Sequence, residues 1–448
     1  MCNDPRENSA ATSQGAAARP ARPAAFAAPR ARAARSGSAA TTTAAAAAVS
    51  GEHDPVPAID GGRDSAVESL PIQRRPPLAA DATEGELVFM LLDTTHLDAA
   101  ITLWGVTMHG ASVCLVIDDF MPYFYCEAPE DDTRDGEFAA ILDGELRDDK
   151  RLGPKPHVVR VERVAKRSLL YFSSNVGGSF YKVFCARPSV IGPAVKVMEK
   201  TGKEAGLNTD TYESQDSKSA SYEMRFMVDR QLAGGGWVRC GKWRQGDSDN
   251  SGVVAQLFGT ALASEISGVW PGSDALEFQR LAPLRMLSAD VVCTGQRRQL
   301  HAPPGTGPDD QIILITVQLS QHTSANPDDT VALVLQPPGT ALSSLVWPAA
   351  TEDWLLLGRR HVVCFPDEAG LLAGFEQLVE TADPDFITGS DIGPDLQLLL
   401  QRAAVVGLQN FGAFRRDEIV TKVKKRQTCK SPQSATSDFS VCIPAPHS

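Results

Sequence analysis

A single acidic residue inside an apolar run is the feature of this sequence that most directly suggests chemistry. The run covers residues 284–293 (LRMLSADVVC), and Asp290 is its only carboxylate. A carboxylate in an apolar setting costs free energy unless hydrogen-bond donors or a cation pair with it. Asp290 is therefore either a strand-end residue that accepts turn hydrogen bonds or part of a metal site.

The elements around Asp290 predict a mixed β-sheet covered by helices. The run itself has the composition of a strand buried on both faces. Further strands are predicted at residues 311–319, 331–335, 361–365 and 385–388, and helices after Pro366-Asp367 and at 394–406, with Gly407 as C-cap. Ligands of such sheets gather at strand ends and helix starts. Asp290 lies at one strand end, and Asp391 and Asp395 lie at the start of the last helix.

The region before this sheet is rich in β-strand patterns and contains nothing that looks catalytic. It predicts a hairpin (101–106 with 112–117), a weak helix within 127–149, a strand pair (158–164 with 168–172), a strand at 181–185, a helix at 189–200 ended by Gly202, and a strand at 222–228. The aromatic strand at 120–125 could stack nucleic-acid bases, but core packing is the favoured interpretation because aromatic residues dominate protein cores.

Bulk composition limits the function classes. The 448-residue chain is long enough for two or three domains, and its net charge of −12 excludes a globally basic coat for nucleic acid. The nine cysteines show neither zinc-ligand nor disulfide spacing, which favours reduced, intracellular thiols. No apolar run reaches the length of a membrane span, so we expect a soluble protein without a membrane partner.

The first 85 residues differ from the rest, because Ala, Pro, Arg, Ser and Thr dominate them. We predict a disordered tail, with an organelle transit peptide as the alternative.

Several blocks of the chain resemble family B DNA polymerases, and among them the delta-type catalytic subunits. The blocks follow in the family's order over roughly residues 87–426: LWGVTMHGASVCLVIDDFMPYFYCEAP (103–129), RVERVAKRSLLYF (160–172), FYKVFCARPSVIGPAVKVMEK (180–200), YEMRFMVDRQLAGGGW (222–237), RLAPLRMLSADVVC (280–293) and DPDFITGSDIGPDLQLLLQRA (383–403). The resemblance implies a chain of the α+β or α/β fold class. A tail (1–85) would precede a β-rich N-terminal domain (86–282), an incomplete RNase H-like exonuclease domain with a mixed sheet (283–426) and an irregular C-terminal tail (427–448).

The chemistry implied by the resemblance is 3′–5′ proofreading with two Mg²⁺ ions held by carboxylates. The family's first motif is Asp-Ile-Glu, whose two carboxylates share one face of a strand. Here it is Asp290-Val291-Val292, so the second carboxylate is replaced by an isopropyl group. In the second motif Asp395 is the best candidate ligand, but its spacing is one residue short, which rotates a helical side chain by about 100°.

The resemblance places the third exonuclease motif and the polymerase domains beyond the last residue. We therefore expect no exonuclease turnover and no nucleotidyl transfer by this chain alone. Its expected role is part of a replicative DNA polymerase, with DNA and other polymerase subunits as partners and the nucleus as location, or an organelle if the tail is a transit peptide.

Two alternatives remain. One is a stand-alone exonuclease in which Asp391 or Glu418 supplies a missing ligand. The other is a non-catalytic module that binds DNA or a partner through basic clusters, for which the candidates are Arg297, Arg298, Lys422, Lys424, Lys425 and Arg426. For the cluster at residues 422–426, a solvated loop or a nuclear-targeting patch is the favoured interpretation.

Overall fold

The computed structural model describes residues 56–61, 66–78, 83, 85–128, 135–166, 178–204, 211–212, 221–246, 253–269, 276–294, 310–322, 328–342, 346–347, 359–409, 411–412 and 414. All of them belong to one compact unit. The predicted strand at 168–172, the substitute ligand Glu418, the C-terminal tail and both predicted basic clusters lie outside these ranges. Those clusters comprise Arg297, Arg298, Lys422, Lys424, Lys425 and Arg426.

Asp290 lies in a seven-stranded mixed sheet, here called the C-terminal sheet. Its strands, numbered in chain order, are β1 (Val56–Asp60), β13 (Arg285–Thr294), β14 (Gln311–Gln321), β15 (Asp329–Leu335), β16 (Val346–Trp347), β17 (Arg359–Phe365) and β18 (Phe386–Thr388). The spatial order is β16-β1-β17-β15-β14-β13-β18. The β13–β14 and β14–β15 pairs are antiparallel, whereas β15–β17 and β13–β18 are parallel. The predicted mixed sheet is confirmed.

Two helices, α4 (Glu368–Ala382) and α5 (Ile392–Val405), supply the apolar core on one face of this sheet. The α4 helix begins as predicted, because the Asp367 carboxylate accepts the Gly370 N–H at 2.7 Å. The end of α5 is also as predicted, with Gly407 at φ +81°.

Strand β13 is buried on one face only, so the prediction of burial on both faces was wrong. Leu287 and Ala289 lie in the core, whereas Asp290 and Val292 are exposed. The prediction took the apolar residues 291–293 as buried on both faces, but Val292 lies on the open face.

The N-terminal domain, the described residues between Leu87 and Val269, contains two further sheets. The seven-stranded sheet has the order β10-β11-β4-β3-β2-β9-β12. Its strands are β2 (Leu87–Leu97), β3 (Ala100–Thr107), β4 (Ser112–Ile117), β9 (Trp237–Cys240), β10 (Trp243–Gln245), β11 (Leu257–Ala261) and β12 (Ile266–Val269). The antiparallel β3–β4 pair confirms the predicted hairpin.

The four-stranded sheet has the order β6-β7-β5-β8. It consists of β5 (Tyr123–Glu127), β6 (Val158–Lys166), β7 (Gly178–Cys185) and β8 (Thr211–Tyr212), and it packs with α1 (Asp135–Arg147) and α2 (Pro188–Glu204). The rings of Phe120, Tyr123, Phe124 and Tyr125 are all buried. Core packing of the aromatic strand is therefore confirmed, and these rings present no open surface for base stacking.

Three other predictions in this domain need correction. Residues 222–228 form helix α3 (Tyr222–Asp229) instead of a strand, because Ser221 caps the Met224 N–H at 3.2 Å and Tyr222, Arg225 and Phe226 fall on one buried helical face. Helix α2 continues through Gly202 to Glu204. Strand β5 begins at Tyr123, three residues later than predicted.

The predicted tail of residues 1–85 is too long. Strand β1 pairs in parallel with β17, and Val67, Leu70 and Ile72 are buried in the core of the C-terminal sheet. These few apolar residues lie among many Ala, Pro and Arg residues, so composition alone hid them. The remaining domain boundaries stay predictions.

Candidate functional site

Strand β13 presents Asp290 to solvent on the sheet face opposite the helices. The register pairs Asp290 with Thr316 of β14, and Val292 follows two residues later on the same face. Because Asp290 is exposed, it does not carry the burial cost that its apolar neighbours suggested. The second carboxylate position on this face holds the Val292 side chain.

The segment after β18 brings the second carboxylate to β13. Strand β18 pairs only with Met286–Ser288, and the chain then passes close to the next part of β13. A Cβ added at Gly389 would lie 2.3 Å from the carbonyl oxygen of Ala289, so only glycine permits this approach. Helix α5 starts three residues later, with Asp395 in its first turn.

The Asp395 carboxylate accepts a hydrogen bond from the backbone N–H of Val291. This N–H lies beyond the last β13 residue that pairs with β18, so Asp395 satisfies a donor that β18 does not reach. The turn through Gly389 thus brings Asp395 to the edge of β13, within electrostatic range of Asp290.

Asp395 lies within electrostatic range of two further carboxylates, Asp290 and Asp391. Burial raises the pKa of Asp395, and the negative charges of Asp290 and Asp391 raise it further, whereas the Val291 N–H opposes the shift. One oxygen of Asp395, Oδ2, is buried without a hydrogen-bond partner. Asp391 is exposed at the N-cap position of α5, and its side chain makes no capping hydrogen bond. The sequence predicts Asp391 only as a substitute ligand.

Carboxylate oxygens are suitable ligands for divalent cations, which take oxygen donors. The orphaned Oδ2 of Asp395 suits a cation, but within the described ranges no group of three His, Cys, Asp or Glu residues is arranged to hold a metal ion. The described residues therefore do not fit a two-metal centre, and no catalytic step is derived through one.

Comparison with known proteins agrees with this architecture. The model of the exonuclease domain of DNA polymerase family B matches residues 210–442, more than half of the chain. The chain belongs to DNA polymerase family B. Exonuclease domains of this family depend on divalent metal ions, and its polymerases bind DNA.

The relatives are delta-type catalytic subunits. The DNA polymerase delta catalytic subunit of Arabidopsis thaliana is 29% identical over 323 residues, which are 70% of this chain and 27% of that protein. The Mesocricetus auratus subunit is 27% identical over 380 residues, 78% of this chain and 32% of that protein. The chain thus spans under a third of the length of these two relatives.

One solved structure of a family B DNA polymerase, from the hyperthermophilic archaeon Pyrobaculum calidifontis, is also similar. It has a TM-score of 0.45 and 22% sequence identity, and the match covers 72% of this chain and 33% of that one.

Among the described residues, no helix is long and apolar enough to cross a membrane.

Proposed function

We propose that this chain provides the N-terminal and proofreading-exonuclease regions of a delta-like replicative DNA polymerase. The exonuclease-domain match and the delta-type relatives support this proposal. DNA is the proposed partner, together with other subunits of a replicative polymerase, and the nucleus is the proposed location.

We further propose that the exonuclease site of this chain binds DNA without cleaving it. The observation that carries the absence of cleavage is that Val292, and not a carboxylate, lies beside Asp290 on the open face of β13. Two metal ions held about 3.5–4 Å apart need several carboxylates around them. An isopropyl group at the second position removes one ligand and offers nothing in exchange. Asp290 and Asp395 are then vestigial ligands, with Mg²⁺ as the ion they would bind weakly.

The negative charge that Asp391 places near Asp395 favours a second candidate, a metal-dependent 3′–5′ exonuclease with a rearranged ligand set. Asp391 is exposed, uses no side-chain bond to cap α5, and contributes negative charge at Asp395. A cation bound between Asp391 and Asp395 would relieve the unfavourable ionisation of Asp395.

Purified full-length chain and labelled single-stranded DNA separate the two candidates. We expect salt-dependent binding by fluorescence anisotropy and no shortening of the strand with Mg²⁺ or Mn²⁺. Metal-dependent shortening that is lost in Asp290→Ala would refute the non-cleaving proposal. If the metal-dependent shortening is also lost in Asp391→Asn, the rearranged site is established. Asp148→Ala, which removes an exposed carboxylate just after α1, is the matched control.

A further inference from the structure

Residues 66–78, here called the brace, connect the C-terminal sheet with the N-terminal domain. Leu70 and Ile72 are buried in the core of the sheet. The Gln73 N–H donates to the buried Asp329 carboxylate at 2.7 Å, and the Arg285 guanidinium donates to the Gln73 carbonyl at 2.6 Å. The brace is therefore fixed to the sheet before it reaches the other domain.

Arg75 is the centre of the brace. Its side chain is only 4% exposed, and its guanidinium donates to the carboxylates of Asp383 and Asp385, to the Asp383 carbonyl at 2.9 Å and to the Gly110 carbonyl. The distance from Nη2 of Arg75 to Oδ1 of Asp385 is 2.7 Å, and the Asp385 side chain is 0% exposed. A planar guanidinium can serve all these acceptors at once, whereas a lysine ammonium has three donors at a single point.

Gly110 brings the N-terminal domain into this network. It lies in the β3–β4 turn at φ +86°, and a Cβ added there would lie 3.3 Å from Cγ of Pro283, just before β13. Beside this contact, Met90 and Trp237 of the N-terminal domain pack with Ala282 and Leu284. Arg75 thus joins the two domains at a point where they already touch.

The same network holds the start of the β13–β18 pair. The Asp385 carboxylate accepts the Arg285 N–H at 2.8 Å, and the Asp385 N–H donates to the Arg285 carbonyl at 2.8 Å. Asp383 adopts a left-handed conformation (φ 43°) that is costly for a residue with a side chain, and Arg75 binds both its carboxylate and its carbonyl.

Among the described contacts, strand β18 has few anchors besides Asp385 and its pairing with β13. It is three residues long and lies at the edge of the sheet, with two of its three residues exposed. The segment that places Asp395 on Val291 follows it directly. A loss of the anchor at Asp385 therefore acts on β18 first and on Asp395 next.

We propose that Arg75 is a positioning residue that locks the N-terminal domain to the C-terminal sheet and, through Asp385, sets the β13–β18 pair and the Asp395 carboxylate. The inference relies on the proposed function only in treating Asp395 as a site residue. The locking of β18 is measurable without any activity or metal.

Hydrogen–deuterium exchange of the full chain tests the locking. We expect Arg75→Ala to speed amide exchange in residues 386–395 by about tenfold or more, because it removes several charge-assisted hydrogen bonds. Arg75→Lys should also speed exchange in these residues, since lysine keeps the charge but lacks the planar, forked set of guanidinium donors. Arg74→Ala is the matched control, because the exposed Arg74 side chain bonds only the nearby Glu68 carbonyl among the described contacts.

A second exchange comparison separates a local effect from a general loss of stability. We expect Arg75→Ala to leave exchange in α1 (Asp135–Arg147), which packs with the four-stranded sheet, near its wild-type rate, and Arg74→Ala to leave exchange in residues 386–395 unchanged. If Arg75→Ala fails to fold, Asp385→Asn keeps the side-chain shape, weakens the same bond and should give a smaller change of the same sign. A folded variant of either kind with wild-type exchange in residues 386–395 would overturn the proposal.

Discussion

Restoring the missing carboxylate by Val292→Glu should create measurable affinity for divalent cations. Val292 is 40% exposed, so the glutamate side chain would lie at the solvent-exposed surface. Positions 290 and 292 share a face and lie about 6.6–6.8 Å apart along the strand. Both carboxylates can therefore reach a common cation from this face.

The size of the gain follows from Coulomb's law. Two unit charges 4 Å apart interact by about 1 kcal/mol in water, and a divalent ion doubles this to about 2 kcal/mol. The wet surface makes the dielectric constant of water the appropriate choice, and added salt reduces the interaction further. We expect Mn²⁺ to bind Val292→Glu about 10- to 30-fold more tightly than the unsubstituted chain.

Isothermal titration calorimetry with Mn²⁺ on the purified full chain measures this difference. Val292→Gln is the control, because it adds the same length and polarity without the charge. A thermal melt of each variant confirms that the fold is retained. Adding Asp290→Ala to Val292→Glu should abolish the gain, since a single carboxylate remains on that face of β13.

Equal Mn²⁺ affinity of Val292→Glu and Val292→Gln would refute the reasoning. It would mean that charge at position 292 does not reach the cation, so Val292 would not explain a weak site. A gain that survives Asp290→Ala would place the ion elsewhere.

Three further predictions concern stability. Glu368→Gln should cost about 3–5 kcal/mol in denaturant unfolding, because it leaves the buried Arg402 guanidinium (2% exposed) without its carboxylate partner. His96→Gln should remove at most about 1 kcal/mol of stability below pH 6.5 and less as pH rises through the folded-state pKa of His96, which the hydrogen bond with Glu223 raises. Asp395→Asn should raise stability at neutral pH without divalent metal by less than about 1 kcal/mol, because the raised pKa of Asp395 means that its ionised form destabilises the fold, while water screens part of the effect.

Each of these has its own check. Glu368→Gln combined with Arg402→Met should be less damaging than Glu368→Gln alone, and an equal loss would show that the unpaired charge is not the cause. The His96 effect should be absent above the folded-state pKa, and a pH-independent loss would point to packing against Tyr222 instead. The gain from Asp395→Asn should disappear below pH 4, where the aspartate is protonated, and persistence there would contradict the electrostatic account.

The predictable parts of the fold are those in which the local pattern and the tertiary packing agree. Helix α4 has a capping aspartate and an apolar stripe, and the β3–β4 hairpin has two apolar strands around a glycine turn. The prediction of a strand at residues 222–228 was wrong because seven residues of mixed polarity fit both the helical period of about 3.6 and the strand period of about 2. The Ser221 cap and burial against the β-sheet favour the helix.

For the candidate site as well, the sequence determines some features and the tertiary structure determines others. The sequence alone determined the chemical types available, namely the carboxylates of Asp290, Asp391 and Asp395 and the isopropyl group of Val292, because ligand chemistry belongs to the side chain itself. Only the tertiary structure decided that Asp290 faces solvent and that Asp395 reaches Val291 despite its short spacing. It alone also showed that Arg75, about 200 residues from β13 in the chain, pairs with Asp385, whose carboxylate accepts the Arg285 N–H at the start of that strand. These outcomes depend on strand register, on a close backbone approach at Gly389 and on long-range ion pairs, and spacing along the chain encodes none of them.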